Sequence, residues 1–145
     1  MSELFAAAQM LASGTRVEGP RLAIVTNGGG PGVMAAHRAA DQNLVLSELS
    51  ADSIKALDQE LPPTWSHRNP VDVIGDATQE RYENALAAVV RDEGVDGALV
   101  ILTPQSMTNA LETAKAITKI ARLSHKPILS CFMGIVDVSA GVDYL

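Results

Sequence analysis

A glycine-rich segment is the strongest chemical signal in this sequence. The segment comprises Asn27, Gly28, Gly29 and Gly30. It follows the apolar run 22–25, and Pro31 and an alanine-rich stretch come after it, which is typical of a strand, a loop and a helix. Free backbone N–H groups and the helix dipole favour an anion at such a point. We therefore expect a phosphate or carboxylate site here, with several of these residues at positive φ.

The segment departs from the common nucleotide-binding motifs. No Gly-Lys-Ser/Thr follows it, so it is not a P-loop. Val33 stands where a dinucleotide fingerprint would have its third glycine, although Glu48 has the spacing from Gly28 of a ribose-binding acid. The alternative interpretation is a tight turn that lets strand and helix pack closely.

Two further loops carry polar residues after apolar runs. Asp76 follows the run 71–74, and it could either face a ligand or cap the next helix. The loop 103–108 follows the run 98–102, and Pro104 near a helix start predicts a second anion-receptive N-terminus. The predicted phosphate- or substrate-binding residues are Asn27, Gly28, Gly29, Gly30, Asp76, Thr103, Gln105, Ser106 and Met107. No metal-ligand cluster and no Ser-His-Asp set is recognisable, so no metal site is expected.

Strands and helices alternate along the whole chain. The predicted strands are 21–26, 44–49, 71–74, 98–102 and 128–132. The predicted helices are 4–12, 31–42, 51–61, 79–93 and 109–123. This order predicts an α/β fold, a flavodoxin-like doubly wound parallel five-stranded sheet with helices on both faces. Ligands of such sheets bind beyond the carboxyl ends of the strands, where the three polar loops fall.

Composition narrows the class of protein. The chain has 145 residues, of which 47% are hydrophobic, enough for one domain with a core. A net charge of −6 and 3% aromatic residues argue against a nucleic-acid partner. No apolar run approaches the roughly 20 residues that span a bilayer, so no membrane partner is expected. The lone Cys131, expected in the core, favours a reducing, cytoplasmic location. The tail 138–145 resembles an interrupted helix, so we expect one domain, 1–145, of a longer protein.

Four ordered motifs resemble a known family. They are Thr26-Asn-Gly-Gly-Gly-Pro-Gly-Val-Met-Ala-Ala36, Asn69-Pro-Val-Asp-Val-Ile-Gly-Asp-Ala77, Leu99-Val-Ile-Leu-Thr-Pro-Gln-Ser-Met-Thr108 and Cys131-Phe-Met-Gly134. Together they are similar to the CoA-ligase domain of NDP-forming acyl-CoA synthetases. The synthetase-like region of large protein lysine acetyltransferases contains the same module.

The resemblance implies a chemistry that this chain shares in part. Such enzymes interconvert acyl-CoA, ADP and phosphate with free acid, CoA and ATP, through an acyl phosphate and a phosphohistidine. That histidine lies on a preceding domain in a Ser-His-Thr-Gly-like motif. No such motif occurs here, since Arg68 follows His67 and Lys126 follows His125. The resemblance therefore implies no catalytic residue in this chain, an isolated domain without activity, and a glycine loop and helix N-terminus that hold the phosphohistidine or acyl phosphate.

The resemblance also implies cofactors and partners. CoA, ATP or ADP and Mg are expected in the full-length protein, and none is expected on this domain alone. The expected partners are a CoA-binding domain, a first flavodoxin-like domain, an ATP-grasp domain and a small-molecule acyl substrate. Two alternatives remain open: an acyl-CoA-sensing regulatory module of a lysine acetyltransferase without ligase turnover, and a stand-alone phosphate- or nucleotide-binding flavodoxin-like protein.

Overall fold

The computed structural model describes residues 16–134 and 137–145, so the helix predicted over 4–12 lies outside the described residues. The strands are β1 (Arg21–Thr26), β2 (Val45–Leu46), β3 (Val71–Asp72), β4 (Gly97–Leu102) and β5 (Ile128–Phe132). The helices are α1 (Gly29–Asp41), α2 (Ala51–Glu60), α3 (Gln79–Arg91), α4 (Ala110–Ala121) and α5 (Ser139–Val142). The predicted α/β fold with a parallel five-stranded sheet is confirmed.

The sheet has an unusual edge beside β1. The order is β2-β1-β4-β5, and β3 also pairs with β1. β4 runs along β1 from Leu22 to Thr26, so β2 and β3 must share the opposite edge. β2 pairs with the beginning of β1 and β3 with its end. This sharing explains why both strands are two residues long, shorter than the predicted 44–49 and 71–74.

Asn69 fills the gap between these two short strands. Its side-chain oxygen accepts from the Ile24 N–H at 2.9 Å. Its amide nitrogen donates to the carbonyl oxygens of Leu22 and Ser47, at 2.8 and 3.1 Å. The side chain therefore replaces the backbone hydrogen bonds of β1 where β2 has ended and β3 has not yet begun. The peptide bond between Asn69 and Pro70 is cis.

Helices cover both faces of the sheet. The main core packs α2, α3 and α4 against Ala23, Val25, Ala98 and Val100, whose side chains share one face. α1 lies on the opposite face, where Gly32 approaches the side chain of Thr26. This arrangement leaves the beginning of α1 at the carboxyl end of β1, which is where the candidate site lies.

The boundaries of α1 to α4 differ from the prediction by at most two residues, and three of these differences have an identifiable cause. α1 begins at Gly29, before Pro31, which takes the third position of the helix. α4 begins only at Ala110, because the Asn109 side chain accepts from the Glu112 N–H and caps the helix there. α3 ends at Arg91 because the chain turns at Asp92. No helix among residues 16–134 and 137–145 is long and apolar enough to cross a membrane.

Candidate functional site

The polar loops that follow β1, β3 and β4 meet at one edge of the sheet. A parallel sheet brings the carboxyl ends of its strands together, so residues 27–30, 73–78 and 103–108 become neighbours. An ideal Cβ at Gly28 would lie 2.9 Å from the Thr103 hydroxyl oxygen, and one at Gly29 would lie 3.3 Å from the Asp72 Oδ2. The segment 27–30 is therefore the centre of the site.

Asn27 joins the first and third of these loops. Its amide nitrogen donates to the Thr103 carbonyl oxygen at 2.8 Å. In return, the Thr103 N–H and hydroxyl donate to the Asn27 Oδ1 at 2.8 and 2.7 Å. Asn27 is only 3% exposed. Both polar ends of its side chain are occupied, so Asn27 positions the site instead of offering a free group to a ligand.

The backbone of the glycine segment leaves two donors available. The Gly28 N–H donates to the Thr26 hydroxyl at 3.1 Å, and the Gly32 N–H donates to the Gly28 carbonyl oxygen at 3.1 Å. The N–H groups of Gly29 and Gly30 open α1, and neither has an acceptor among the described residues. Both glycines are exposed. Two solvent-facing donors thus stand at the positive end of a 13-residue helix.

The reason for the glycines differs from the one expected. None of the three consecutive glycines has positive φ, so the expectation of left-handed conformations at 27–30 is wrong. Gly28 is required by its close approach to the Thr103 side chain. Gly30 is different, because no atom lies within 4 Å of the position its Cβ would take. Packing within the described chain therefore explains Gly28 and leaves Gly30 facing open space.

Asp72 adds a negative charge beside the helix start. Its Oδ1 accepts from the Ile74 N–H at 2.9 Å, which turns the chain after β3, and Ile74 takes a φ of 68°. Its Oδ2 faces Gly29. A carboxylate at a helix N-terminus is favourable for the helix, and it also competes with any anion that approaches the same N–H groups. Sequence reasoning did not place Asp72 in the site.

Asp76 is paired with an arginine rather than capping a helix. Its carboxylate binds Arg81, whose guanidinium also donates to the Val73 carbonyl oxygen at 3.0 Å. The N-cap of α3 is Thr78, which makes no side-chain cap bond. The interpretation of Asp76 as a cap is therefore wrong. Arg81 brings a positive charge to the loop after β3 that the sequence analysis missed, although its place in the first turn of a helix after a strand could have indicated it.

The loop 103–108 leads through the N-cap residue Asn109 into α4. The Thr108 N–H donates to the Gln105 carbonyl oxygen at 3.0 Å, which forms a turn. Gln105, Ser106 and Met107 stand exposed at its tip, while Pro104 is well separated from the first residue of α4. The loop predicted over 103–108 is present, and the following helix begins within one residue of its predicted start. α4 is capped by Asn109, so residues 105–107 border the site from a loop.

Tyr82 holds the end of β4 that leads into the site. Its side chain is fully buried, and its hydroxyl donates to the Ile101 carbonyl oxygen at 3.0 Å. Burial raises the pKa of Tyr82 far above its ordinary value, so the phenol stays protonated and keeps this bond. The sequence analysis did not identify this contact, which anchors the end of β4 just before Thr103.

The remaining chemistry-bearing side chains lie outside the site. His67 bridges the Asp58 carboxylate and the Pro63 carbonyl oxygen, at 2.9 and 3.0 Å, and its ring packs beside Trp65. His37 is exposed on α1. Cys131 is exposed on β5, so its expected place in the core is wrong. No group of three or more potential metal ligands occurs in the part of the chain that the structure describes.

Comparison with known proteins identifies relatives of this domain. A family model described as the Ligase-CoA domain matches residues 22–145. The ADP-forming acetate–CoA ligase I of Archaeoglobus fulgidus is 39% identical over 113 residues, which cover 78% of this chain and 16% of that protein. The ADP-forming acetate–CoA ligase of Methanocaldococcus jannaschii is 39% identical over 128 residues, which cover 86% of this chain and 18% of that protein.

Solved structures show the same fold. The dinucleotide-forming acetyl-coenzyme A synthetase 1 of Ca. Korarchaeum cryptofilum, solved with phosphate and ADP, superposes with a TM-score of 0.82 at 30% identity. The match covers 89% of this chain and 28% of that one. The chain thus spans less than a third of these solved and curated relatives.

Proposed function

The chain belongs to the Ligase-CoA domain family, and from this membership we propose that it works as one domain of an ADP-forming acyl-CoA synthetase. In this proposal the beginning of α1 and the loop 103–108 hold an anion, the acyl phosphate or the phosphohistidine, during phosphoryl transfer. The phosphorylated histidine belongs to another domain, as do the sites for CoA, for ATP or ADP and for Mg. The domain alone is then inactive.

One observation carries the proposal. The N–H groups of Gly29 and Gly30 have no acceptor among the described residues, both glycines are exposed at the carboxyl end of the sheet, and no atom lies within 4 Å of the position that a Cβ of Gly30 would take. Donors fixed in this way stabilise a charge that moves between groups without reorganising during the reaction. Phosphoryl transfer depends mainly on such positioning and electrostatic stabilisation.

The surrounding residues fit a supporting role. Asn27 fixes the distance between the glycine segment and Thr103, so two loops act as one frame. Gln105, Ser106 and Met107 project from that frame, where they can contact an acyl group or the neighbouring domain. Asp76 pairs with Arg81, which also donates to the Val73 carbonyl oxygen, so the pair holds the loop after β3. Hydrogen bonds hold the frame together where it would bind an anion, and its exposed residues lie where another domain would approach.

The relatives favour the ligase interpretation over the two alternatives. Those compared above are named as ADP-forming acetate–CoA ligases or as an acetyl-coenzyme A synthetase. The regulatory module and the stand-alone phosphate-binding protein have no comparable support. This chain spans a small part of those enzymes. We therefore propose the ligase activity, and an acyl group as its substrate, for the whole protein.

A pair of variants at Gly29 tests the anion site. Gly29→Pro removes one donor at the first helical position, which proline tolerates, and Gly28 before it already has the extended backbone that proline requires. Gly29→Ala adds the same Cβ but keeps the N–H, so it is the matched control. We expect phosphate, followed by amide chemical shifts, to bind the isolated domain with a Kd on the order of 1 mM.

The two variants should then differ in their affinity for phosphate. A lost hydrogen bond to a charged group corresponds to about 1.5–3 kcal/mol, so Gly29→Pro should weaken phosphate binding by about tenfold or more. Gly29→Ala should change it much less. Equal binding in wild type and Gly29→Pro, or shifts confined to residues far from 27–30 and 103–108, would show that the N–H groups do not hold the anion. In the full-length protein, the same comparison is made on ADP-forming ligase turnover.

A further inference from the structure

A groove crosses the outer surface of the helix layer that α2, α3 and α4 form. α3 packs against both α2 and α4. The stripe that α3 presents to the groove is Asn84, Ala87, Ala88 and Arg91, which are spaced as one face of a helix. The two alanines at the centre of this stripe leave space between the flanking helices, and the groove has a volume of about 980 Å³. No residue of the candidate anion site lines it.

The wall from α4 brings an exposed apolar side chain to the groove. Leu123 lies just after α4 and is 76% exposed, and Ile120 lines the groove three residues earlier. A single exposed leucine is ordinary on a protein surface. Here, however, the leucine adjoins the alanine floor, and charged side chains surround both. An apolar centre with a polar rim is the composition of a contact surface.

The rim of the groove is acidic. Six carboxylates line it, against two cations, Arg91 and Lys119. Lys119 is already bound to the carboxylate of Glu83 at 2.6 Å. Three of the six carboxylates are exposed and have no ion pair or side-chain hydrogen bond with another described residue. These three are Glu48, Asp52 and Glu93. Like charges held together repel one another unless an opposite charge lies among them, so this rim fits a positively charged occupant.

The residues of this chain that the structure does not describe lack the charge that the rim requires. Residues 1–15 contain one glutamate and no lysine, arginine or histidine, and residues 135–136 are isoleucine and valine. A second copy of the chain has the same net charge of −6 and the same acidic rim, so the two copies would repel each other here. The charge of the groove therefore favours a basic segment from outside this chain.

We propose that a lysine-bearing segment of the same polypeptide, from outside residues 1–145, docks in this groove. Its lysine lies among the carboxylates of Glu48, Asp52 and Glu93, and an apolar side chain beside that lysine covers Leu123. The two acetate–CoA ligases compared above have room for such a segment, since this chain spans 16% and 18% of them. The proposal uses neither the anion site nor ligase activity, so its failure would leave the proposed function untouched.

Carbodiimide cross-linking of the full-length protein tests this contact. The reagent joins a carboxylate to a lysine amine that touches it, without a spacer, and peptide mass spectrometry identifies the two residues. The pair of Glu83 and Lys119, 2.6 Å apart, is the internal positive control. We expect at least one of Glu48, Asp52 and Glu93 to be joined to a lysine from outside this domain. If the control link forms and these three carboxylates are joined to no such lysine, the proposal is wrong.

Isotope mixing identifies the source of that lysine. Labelled and unlabelled full-length protein are combined in equal amounts before the reaction. We expect each cross-linked peptide pair to be entirely labelled or entirely unlabelled, because both residues belong to one polypeptide. Pairs of mixed mass would indicate a second copy and overturn the proposal.

Neutralising the rim gives a second test, in which the sign of the effect decides. The variant Glu48→Gln/Asp52→Asn/Glu93→Gln removes the partners of the docked lysine. We expect it to lower the Tm of the full-length protein in low salt by roughly 2–4 °C, and by less in high salt, which screens the lost attraction. An empty groove would give the opposite result, because neutralisation then relieves repulsion and leaves the Tm unchanged or raises it. That result would contradict the proposal.

A matched control removes the same charge elsewhere. Glu18→Gln/Asp41→Asn/Asp143→Asn neutralises three exposed carboxylates that do not line the groove. We expect this variant to keep the wild-type Tm in low salt. An equal loss of Tm in both triple variants would mean that net charge, and not docking in the groove, causes the effect, and the proposal would be wrong.

Discussion

At the scale of single residues, the site depends on side chains that hold the backbone rather than on side chains that face a ligand. Asn27 and Thr103 are bound to each other through three hydrogen bonds. Tyr82 fixes the strand that leads into Thr103. The groups left for an anion are backbone N–H groups of Gly29 and Gly30. A site of this kind binds weakly by itself, because no contact among the described residues brings a side-chain cation to these two donors.

Asp72 is the residue expected to limit anion binding. Its carboxylate faces Gly29, so a phosphate there meets a like charge near the protein surface. Asp72→Asn removes that charge and keeps the oxygen that accepts from Ile74. We expect phosphate to bind the domain severalfold to about tenfold more tightly, which corresponds to at most about 1.4 kcal/mol.

The measurement for Asp72 is an amide-shift titration with phosphate in low salt. Asp41→Asn is the matched control, because that carboxylate lies at the far end of α1. Unchanged affinity in Asp72→Asn would mean that the carboxylate does not face the anion. Loss of binding would mean that Asp72 takes part in holding the ligand, for example through a bridging cation.

At the scale of secondary-structure elements, caps decide where the helices begin and therefore which loops remain free. Asn109 starts α4 at Ala110 and leaves 103–108 as a loop, as the sequence predicts. Ser50 starts α2 where the sequence predicts, with its hydroxyl accepting from the Ser53 N–H at 3.2 Å. Thr78 occupies the same position of α3 without making that bond. Two hydroxyl residues thus occupy the N-cap position of neighbouring helices, but only that of Ser50 makes a cap hydrogen bond.

This difference predicts unequal costs for two similar substitutions. Ser50→Ala removes a cap bond and should lower the free energy of unfolding by about 1 kcal/mol. Thr78→Ala removes no cap bond and should cost clearly less. Urea denaturation of both variants, followed by circular dichroism, measures the difference. Equal losses would show that the hydroxyl of Ser50 does not stabilise α2 through its cap.

At the scale of the whole molecule, an ion pair ties the beginning of the sheet together. The Arg21 guanidinium donates to both oxygens of Asp96, at 2.9 and 2.6 Å, and the Arg21 N–H donates to Asp96 as well. The hydrogen bonds from the side chain of Arg21, and then the one from its backbone, lower the pKa of Asp96 from 3.8 to about 2. Asp96 directly precedes β4 and Arg21 opens β1, so the pair aligns the two central strands.

The lowered pKa predicts an acid-dependent loss of stability. A carboxyl whose pKa is lower in the folded state stabilises the fold above its unfolded value of 3.8, and this contribution declines as the pH falls toward about 2. Urea midpoints between neutral pH and pH 2 should therefore fall more steeply in wild type than in Asp96→Asn. Asp41→Asn, whose carboxylate lies 3.9 Å from Arg38 in an exposed pair, should keep the wild-type slope. Parallel curves for wild type and Asp96→Asn would contradict the prediction.

The order of strands and helices and the edge of the sheet at which the polar loops meet could be predicted from the sequence, because both depend on local patterns. Apolar runs of strand length identified all five strands, and the run of glycines after β1 marked the beginning of α1. Asn27, Thr103 and the residues 105–107 lie at the predicted edge, although what they bind there stays a prediction.

Only the tertiary structure decided how those residues are used. The hydrogen bonds between Asn27 and Thr103 join positions far apart in sequence, so no local pattern reveals that the side chain is already occupied. The same holds for the shared edge of β1, for Asp72 facing Gly29 and for the exposure of Cys131 on an edge strand. Sequence patterns report local preference, whereas occupancy, exposure and the neighbours of a charge are set by contacts between distant parts of the chain.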